Sequence, residues 1–341
     1  MLGVERSERL RAGLRAMRAG SGAQRGMNAL ANWHGAEAAG DRRGAAMARA
    51  RLLRHTAGYH SQVATDPVRL AAWDAALRSM VKPGMLALEI GTGCGVLAML
   101  AARAGATVVA CESDPVIAAI GAETVVRNGF AGQIAVLHKR LEDLRIPGDL
   151  PRPADLLFTD IFADDLFGFD PFAVLRAAAP LLAPGAVRLP ARVALVGALA
   201  EVPGWERLMP AEVAGLDVSP LRAVAPAWDR FADFGSEAAL RSAPAVLVEA
   251  ALDGALPAPK GRVEHSLAST GGGVNGVALW LRLELAPGIV LEAAPGLNGP
   301  GYYAHAGFAP FDALVPTARG EALGIDLAWS GRRLAVARGA R

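Results

Sequence analysis

Only two cysteines, Cys94 and Cys111, occur in 341 residues, and neither stands at a metal-ligand spacing with histidine. That argues against a disulfide framework and against a zinc site, and it fits a reducing cytoplasm. Lysine is confined to Lys82, Lys139 and Lys260, arginine carrying the rest of the positive charge. Charge of one sign is also missing: the formal net charge is +2, and no block of like charge stands out beyond an Arg-rich opening. A bulk electrostatic grip on nucleic acid is therefore not indicated. No uninterrupted apolar run reaches the roughly 18 residues of a membrane span, and Met1–Arg25 lacks the apolar stretch of a signal peptide. Its arginines read as a surface extension rather than a presequence. No internal repeat is evident.

What is present is a globular composition, 52% apolar and 20% charged, long enough for two domains. Residues up to about His55 have helical periodicity but few large apolar side chains, which predicts surface helices or an arm. The compact fold is expected from Tyr59. Asp66 followed by Pro67 marks a helix start, and Val68, Leu70, Trp73, Ala76 and Leu77 share one face up to Met80. Short apolar runs then alternate with helical ones: strands over 85–90, 107–111, 134–137 and 155–160, helices over 96–104, 115–128 and about 172–179, and a further strand near 192–199. That rhythm predicts a doubly wound, Rossmann-like α/β domain with a parallel sheet. After about Glu201 short β-type runs take over, such as 245–251, 276–285 and 289–293, and predict a β-sandwich or β-barrel. The boundaries read as an extension over 1–58, a cofactor domain over 59–190 and a β-rich domain for substrate and dimerisation over 191–341.

Between the first strand and its helix stands Glu89-Ile90-Gly91-Thr92-Gly93-Cys94-Gly95-Val96. Gly91, Gly93 and Gly95 let the backbone turn tightly and admit a ligand without Cβ atoms in the way. A dinucleotide loop needs a third small residue where Val96 stands. Acidic Glu89 favours a ligand that brings an ammonium and a sulfonium, S-adenosyl-L-methionine, over one that brings a pyrophosphate. Glu112, ending the second strand and followed by Ser113, is placed to accept hydrogen bonds from ribose hydroxyls. Glu142, in Leu141-Glu142-Asp143-Leu144, offers an acceptor to the adenine amino group.

These residues resemble a known family. Glu89–Ala106, EIGTGCGVLAMLAARAGA, is similar to the first motif of protein arginine methyltransferases, and the similarity runs from about Tyr59 into the C-terminal region. The resemblance implies that His60 and Arg69 lie over the bound cofactor, with Arg69 pairing with its carboxylate. It implies that Leu181–Arg192 leads out of the cofactor domain into a β-barrel, that Val274–Leu285 forms a barrel strand pair, and that copies pair through an inserted arm, for which Pro203–Arg222 is a candidate. Two glutamates hold the acceptor guanidinium in that family. Here Asp160 takes the first position, while the second falls on Phe169 with Asp170 one residue beyond, so Asp160 and Asp170 are the candidate catalytic residues. An apolar ring cannot neutralise a guanidinium, and burying that cation alone costs several kcal/mol. Either Asp170 replaces the missing carboxylate or the acceptor differs. The family's Thr-His-Trp loop has no clean counterpart, the nearest stretch being Gly301–His305. Asp164 and Asp165 read as solvated helix-start residues.

The expected activity is methyl transfer to a guanidine or other nitrogen nucleophile on a protein or small molecule, without a metal. The alternatives are a small-molecule N- or O-methyltransferase and a non-catalytic cofactor-binding relative.

Overall fold

Five short segments, almost wholly apolar, line up in parallel: β1 (Leu86–Ile90), β2 (Thr107–Glu112), β3 (Ile134–His138), β4 (Ala154–Thr159) and β5 (Leu182–Leu189), in the order β3-β2-β1-β4-β5. All five residues of β1 are buried, as expected of a central strand covered on both faces. The chain, a computed structural model, is described over residues 21–54, 58–208, 210–224, 229–230, 238–297 and 306–339. Two compact units emerge, one comprising residues up to Ile161 with Ala177–Pro190, the other Phe162–Arg176 with Ala191–Arg341.

The first unit has helices α1 (Ser21–Ala38), α2 (Arg42–Leu52), α3 (Tyr59–Thr65), α4 (Pro67–Met80), α5 (Val96–Arg103) and α6 (Pro115–Arg127), of which α5 and α6 pack on β2 and β3. The Asp66 carboxylate caps α4 through the Arg69 amide at 2.9 Å, and the Asp114 carboxylate caps α6 through Val116 and Ile117. Trp73, Ala76 and Leu77 of α4 are fully buried. Of the two expectations for the N-terminal region, helices are what the described residues form: α1 packs on α6 and α2, burying Ala29 and Leu30. β5 also departs from expectation. Residues 182–189 pair in parallel with β4 instead of forming a mere connection.

The strand expected near 192–199 does not continue the parallel sheet. It is β6 (Arg192–Glu201), the first long strand of the second unit, antiparallel to β12 (Lys260–Ala286). Val274–Leu285, expected as a strand pair, lies within this single strand of 27 residues. The α/β rhythm could not reveal this, because β6, like a central parallel strand, is buried along nearly its whole length. β12 also pairs with β14 (Gly307–Ser330), and β15 (Arg333–Arg338) closes that side. β10 (Ala239–Leu240) and β11 (Ala245–Ala251) flank β6, β13 (Ile289–Glu292) pairs with β12, and β9 (Asp229–Arg230) with β14.

This eight-stranded sheet corrects the expectation of a barrel. Among the described residues no ladder joins β10 or β11 to β15, so the sheet is open. A side-chain contact adds to its ladders: the His265 imidazole on β12 places Nε2 2.8 Å from the Leu247 carbonyl oxygen on β11. The segment 203–222 carries a small hairpin, β7 (Glu212–Val213) with β8 (Leu216–Asp217). The helix near 172–179 is α7 (Pro171–Ala178).

Candidate cofactor site

The parallel strand order reverses across β1, with β2 on one side and β4 on the other. Open α/β sheets bind ligands at the carboxyl ends of strands beside such a reversal. Ile90 is in register with Cys111 and with Thr159, so β1, β2 and β4 end together. Gly91, Gly93 and Gly95 have φ of 72°, 58° and 83°, the left-handed region open to glycine. The amides of Gly91 and Thr92 donate to the Cys111 carbonyl oxygen at 2.9 and 3.2 Å, tying the loop to β2.

A fourth glycine, not singled out in the sequence, completes the loop. Gly121 lies inside α6, where glycine normally weakens a helix, and a Cβ there would sit 2.7 Å from the Gly93 carbonyl oxygen. The loop therefore rests directly on the α6 backbone. An isolated glycine in a helical pattern was the available signal.

Three carboxylates converge on this loop. Glu89 is 1% exposed, and its carboxylate accepts from the Thr92 hydroxyl at 2.5 Å. Burial pushes its pKa up to about 8; Thr92 and Arg69 oppose the shift, while Glu112 and Asp160 add to it. Glu112, also buried, accepts from the Gly93 amide at 3.1 Å and the Asp114 amide at 2.9 Å, fixing its carboxylate against the glycine loop. Asp160, just beyond β4, accepts from Arg69 Nε at 2.5 Å, and both side chains are nearly inaccessible. Arg69 also donates through Nη1 to the Val63 carbonyl at 3.3 Å. The structure thus joins two residues to which the sequence assigned separate partners.

His60 stacks on Tyr59 with ring centroids 4.3 Å apart, and its Nδ1 lies 3.8 Å from where a Cβ on Gly93 would stand. Burial lowers the His60 pKa against the pull of Glu112 and Asp114, favouring a neutral imidazole over the loop. Ser113 is more peripheral: its hydroxyl is 3.5 Å from Glu112 Oε1, at the limit of a hydrogen bond. Glu142 sits exposed on a single 3-10 turn, 3.5 Å from Arg140 Nε. Burial raises the Cys94 thiol and pushes Cys111 up to about 12, so neither presents a thiolate near neutrality.

Asp170 belongs to the second unit, directly before α7, with φ 53°. Phe169 beside it is 43% exposed. Asp165 departs from expectation: it is not a solvated helix-start residue but accepts from the Phe167 amide at 3.0 Å and the Gly168 amide at 2.7 Å, and burial raises its pKa. His305 lies outside the described residues. Among the described residues no group of His, Cys, Asp and Glu could hold a metal ion, and no helix is long and apolar enough to cross a membrane.

The glycine cradle and the buried acidic groups fit a cofactor that is cationic at one end and carries ribose hydroxyls at the other. Comparison with known proteins agrees. The family model of ribosomal protein L11 methyltransferase matches residues 74–179. An arginine N(omega)-methyltransferase of Streptomyces achromogenes subsp. streptozoticus is 32% identical over 295 residues, covering 83% of this chain and 79% of that protein. Protein arginine N-methyltransferase 7 of Drosophila ananassae is 32% identical over 182 residues, 48% of this chain but only 26% of its own length. Among solved structures, the Trypanosoma brucei PRMT1 enzyme–prozyme heterotetrameric complex with AdoHcy is similar, with a TM-score of 0.71 and 17% identity, covering 82% of this chain and 92% of that one. Arabidopsis thaliana protein arginine methyltransferase 10 gives 0.66, also at 17% identity, covering 80% and 87%. With the parallel sheet, its glycine loop and an antiparallel β-rich unit in one chain, the protein belongs to the family of S-adenosylmethionine-dependent arginine methyltransferases.

Proposed function

We propose that the protein transfers a methyl group from S-adenosylmethionine to an ω-nitrogen of an arginine guanidinium, with free arginine as the acceptor. The observation that carries this reading is Asp160, a buried carboxylate at the carboxyl end of β4, paired with Arg69 and felt by Glu89 of the glycine-loop strand. Free arginine is preferred to a protein side chain because the relative that shares most of its length with this chain is named for arginine itself. Phe169, at the second acidic position of the family, supports an acceptor grip unlike that on a protein arginine.

The cofactor supplies an activated methyl on its sulfonium; the protein's task is alignment and exclusion of water. Glu112 retains acceptor capacity for ribose hydroxyls, since a carboxylate has about four lone-pair sites and two are engaged by the Gly93 and Asp114 amides. Glu89 gives up its proton more readily beside a cationic ligand. Arg69, oriented by Asp160, faces the cofactor carboxylate, His60 covers the loop, and Ser113 and Glu142 border the ribose and adenine. Asp160 receives the acceptor guanidinium by charge-assisted hydrogen bonds, and Asp170 is kept, on the resemblance alone, as the candidate for the family's second carboxylate. In this reading the second unit, with the loop Phe162–Arg176, carries acceptor recognition, and residues 203–222 mediate pairing of copies.

Calorimetric titration with S-adenosylhomocysteine followed by labelled methyl transfer tests the proposal. Binding with transfer to free arginine is expected. Transfer only to an arginine-rich peptide would overturn the free-arginine assignment, and binding without transfer to any guanidine would overturn the reading.

A further inference from the structure

The segment Phe162–Arg176 leaves the carboxyl end of β4 but belongs to the second unit. Its middle is heavily fixed. Leu166 is fully buried at φ 68°, a backbone conformation that an L side chain keeps only where its surroundings over-determine it. Asp165 knots the turn through the Phe167 and Gly168 amides. The Phe167 ring stacks on Trp329 of β14, centroids 5.2 Å apart and planes at 18°, and meets Phe172 edge-on at 5.9 Å.

Trp329 is itself seated from two sides. Its indole N–H donates to the Ala258 carbonyl oxygen at 2.9 Å. Its cross-strand neighbour is Gly261, where a Cβ would lie 2.0 Å from the ring, so the absent side chain is what lets the indole lie flat. One contact path therefore runs from β12 through Trp329 and Phe167 to the residues that emerge next, exposed Phe169 and then Asp170.

We propose that Trp329 and Phe167 are positioning residues for the methyl acceptor: their stack holds the loop that presents Phe169 and Asp170, so acceptor affinity is set from the β12–β14 ribbon. This rests on the reading of residues 160–170 as the acceptor loop. A stack that served only to fill space would be indifferent to acceptor, whereas a loop released by even about an ångström loses catalysis roughly a hundredfold.

Trp329→Ala removes the ring. Gly261→Ala keeps it but evicts it, on a strand residue without positive φ, so failure of the first variant to fold leaves the second. Trp329→Phe preserves a stacking surface. For Trp329→Ala and Gly261→Ala the expected result is a rise in acceptor KM of roughly tenfold or more, an unchanged Kd for S-adenosylhomocysteine, and faster hydrogen exchange at the Phe167 and Gly168 amides, whereas Trp329→Phe keeps acceptor KM and exchange near the wild-type values. Unchanged acceptor KM with loosened amides, or unchanged exchange, would overturn the proposal. A wild-type enzyme inactive on every guanidine would instead reject the arginine acceptor; exchange, which needs no acceptor, still decides whether the stack anchors the loop.

Discussion

Glu89 is nearly inaccessible, with its carboxyl held neutral to about pH 8 by burial. An unfolded chain loses this proton in the ordinary carboxylate range. Between about pH 5 and 8 the native state therefore binds more protons than the unfolded one, and stability falls as pH rises, by at most roughly 1.4 kcal/mol per pH unit. The penalty is absent below the unfolded value and complete above the folded one. Thermal denaturation without cofactor should show the slope, and Glu89→Gln, isosteric and uncharged, should flatten it. Equal slopes in both proteins would mean that another group carries the dependence. The Arg69–Asp160 pair predicts a different pattern. Arg69→Met leaves a buried carboxylate without its guanidinium, at a cost of about 3–5 kcal/mol. Adding Asp160→Asn should recover most of that stability while cofactor affinity stays lost. Chemical denaturation beside calorimetry separates the two effects, and a double variant as unstable as Arg69→Met would reject the pair as the source.

At the scale of elements, Gly121 trades helix stability for loop contact. Gly121→Ala gains up to about 1 kcal/mol of helix propensity, yet its Cβ would stand 2.7 Å from the Gly93 carbonyl oxygen. The expected outcome is weaker S-adenosylhomocysteine binding in a protein whose helical circular dichroism is intact. Unchanged affinity would show that the loop gives way freely. The sequence marks these elements unevenly, and for physical reasons. β1, β2 and the helices around them were legible because apolar spacing and a helix start such as Asp66-Pro67 are local signals. The glycine loop was legible because its conformation selects the residue type. The membership of β6 was not, since burial on both faces looks alike in a parallel and an antiparallel sheet. The 27-residue length of β12 was hidden by its glycines, which read as turns but lie at bulges or close approaches such as Gly276 against Phe308. The Arg69–Asp160 contact spans 91 positions, beyond any periodicity.

At the scale of the whole molecule, the hairpin β7–β8 and the turn after it expose Val213, Leu216 and Leu221 at 56%, 68% and 52%. Apolar side chains so close together on an insertion are costly to leave in water. If copies pair through 203–222, sedimentation velocity at micromolar concentration shows a dimer, and Leu216→Asp shifts it to monomer without loss of melting temperature. A monomeric wild type would sink the pairing.

The chain passes between its two units at 161–162, 176–177 and 190–191. A gene fragment ending at Pro190 would carry α7 and the preceding loop but not Trp329, leaving Phe167 without the indole on which it stacks. Such a fragment should be sticky and poorly soluble even with its cofactor sheet intact. The unit that carries the glycine loop is thus not cut out cleanly by any single break in the sequence: the chain leaves it after Ile161 and returns at Ala177, so a gene segment encoding one unit always carries or severs part of the other.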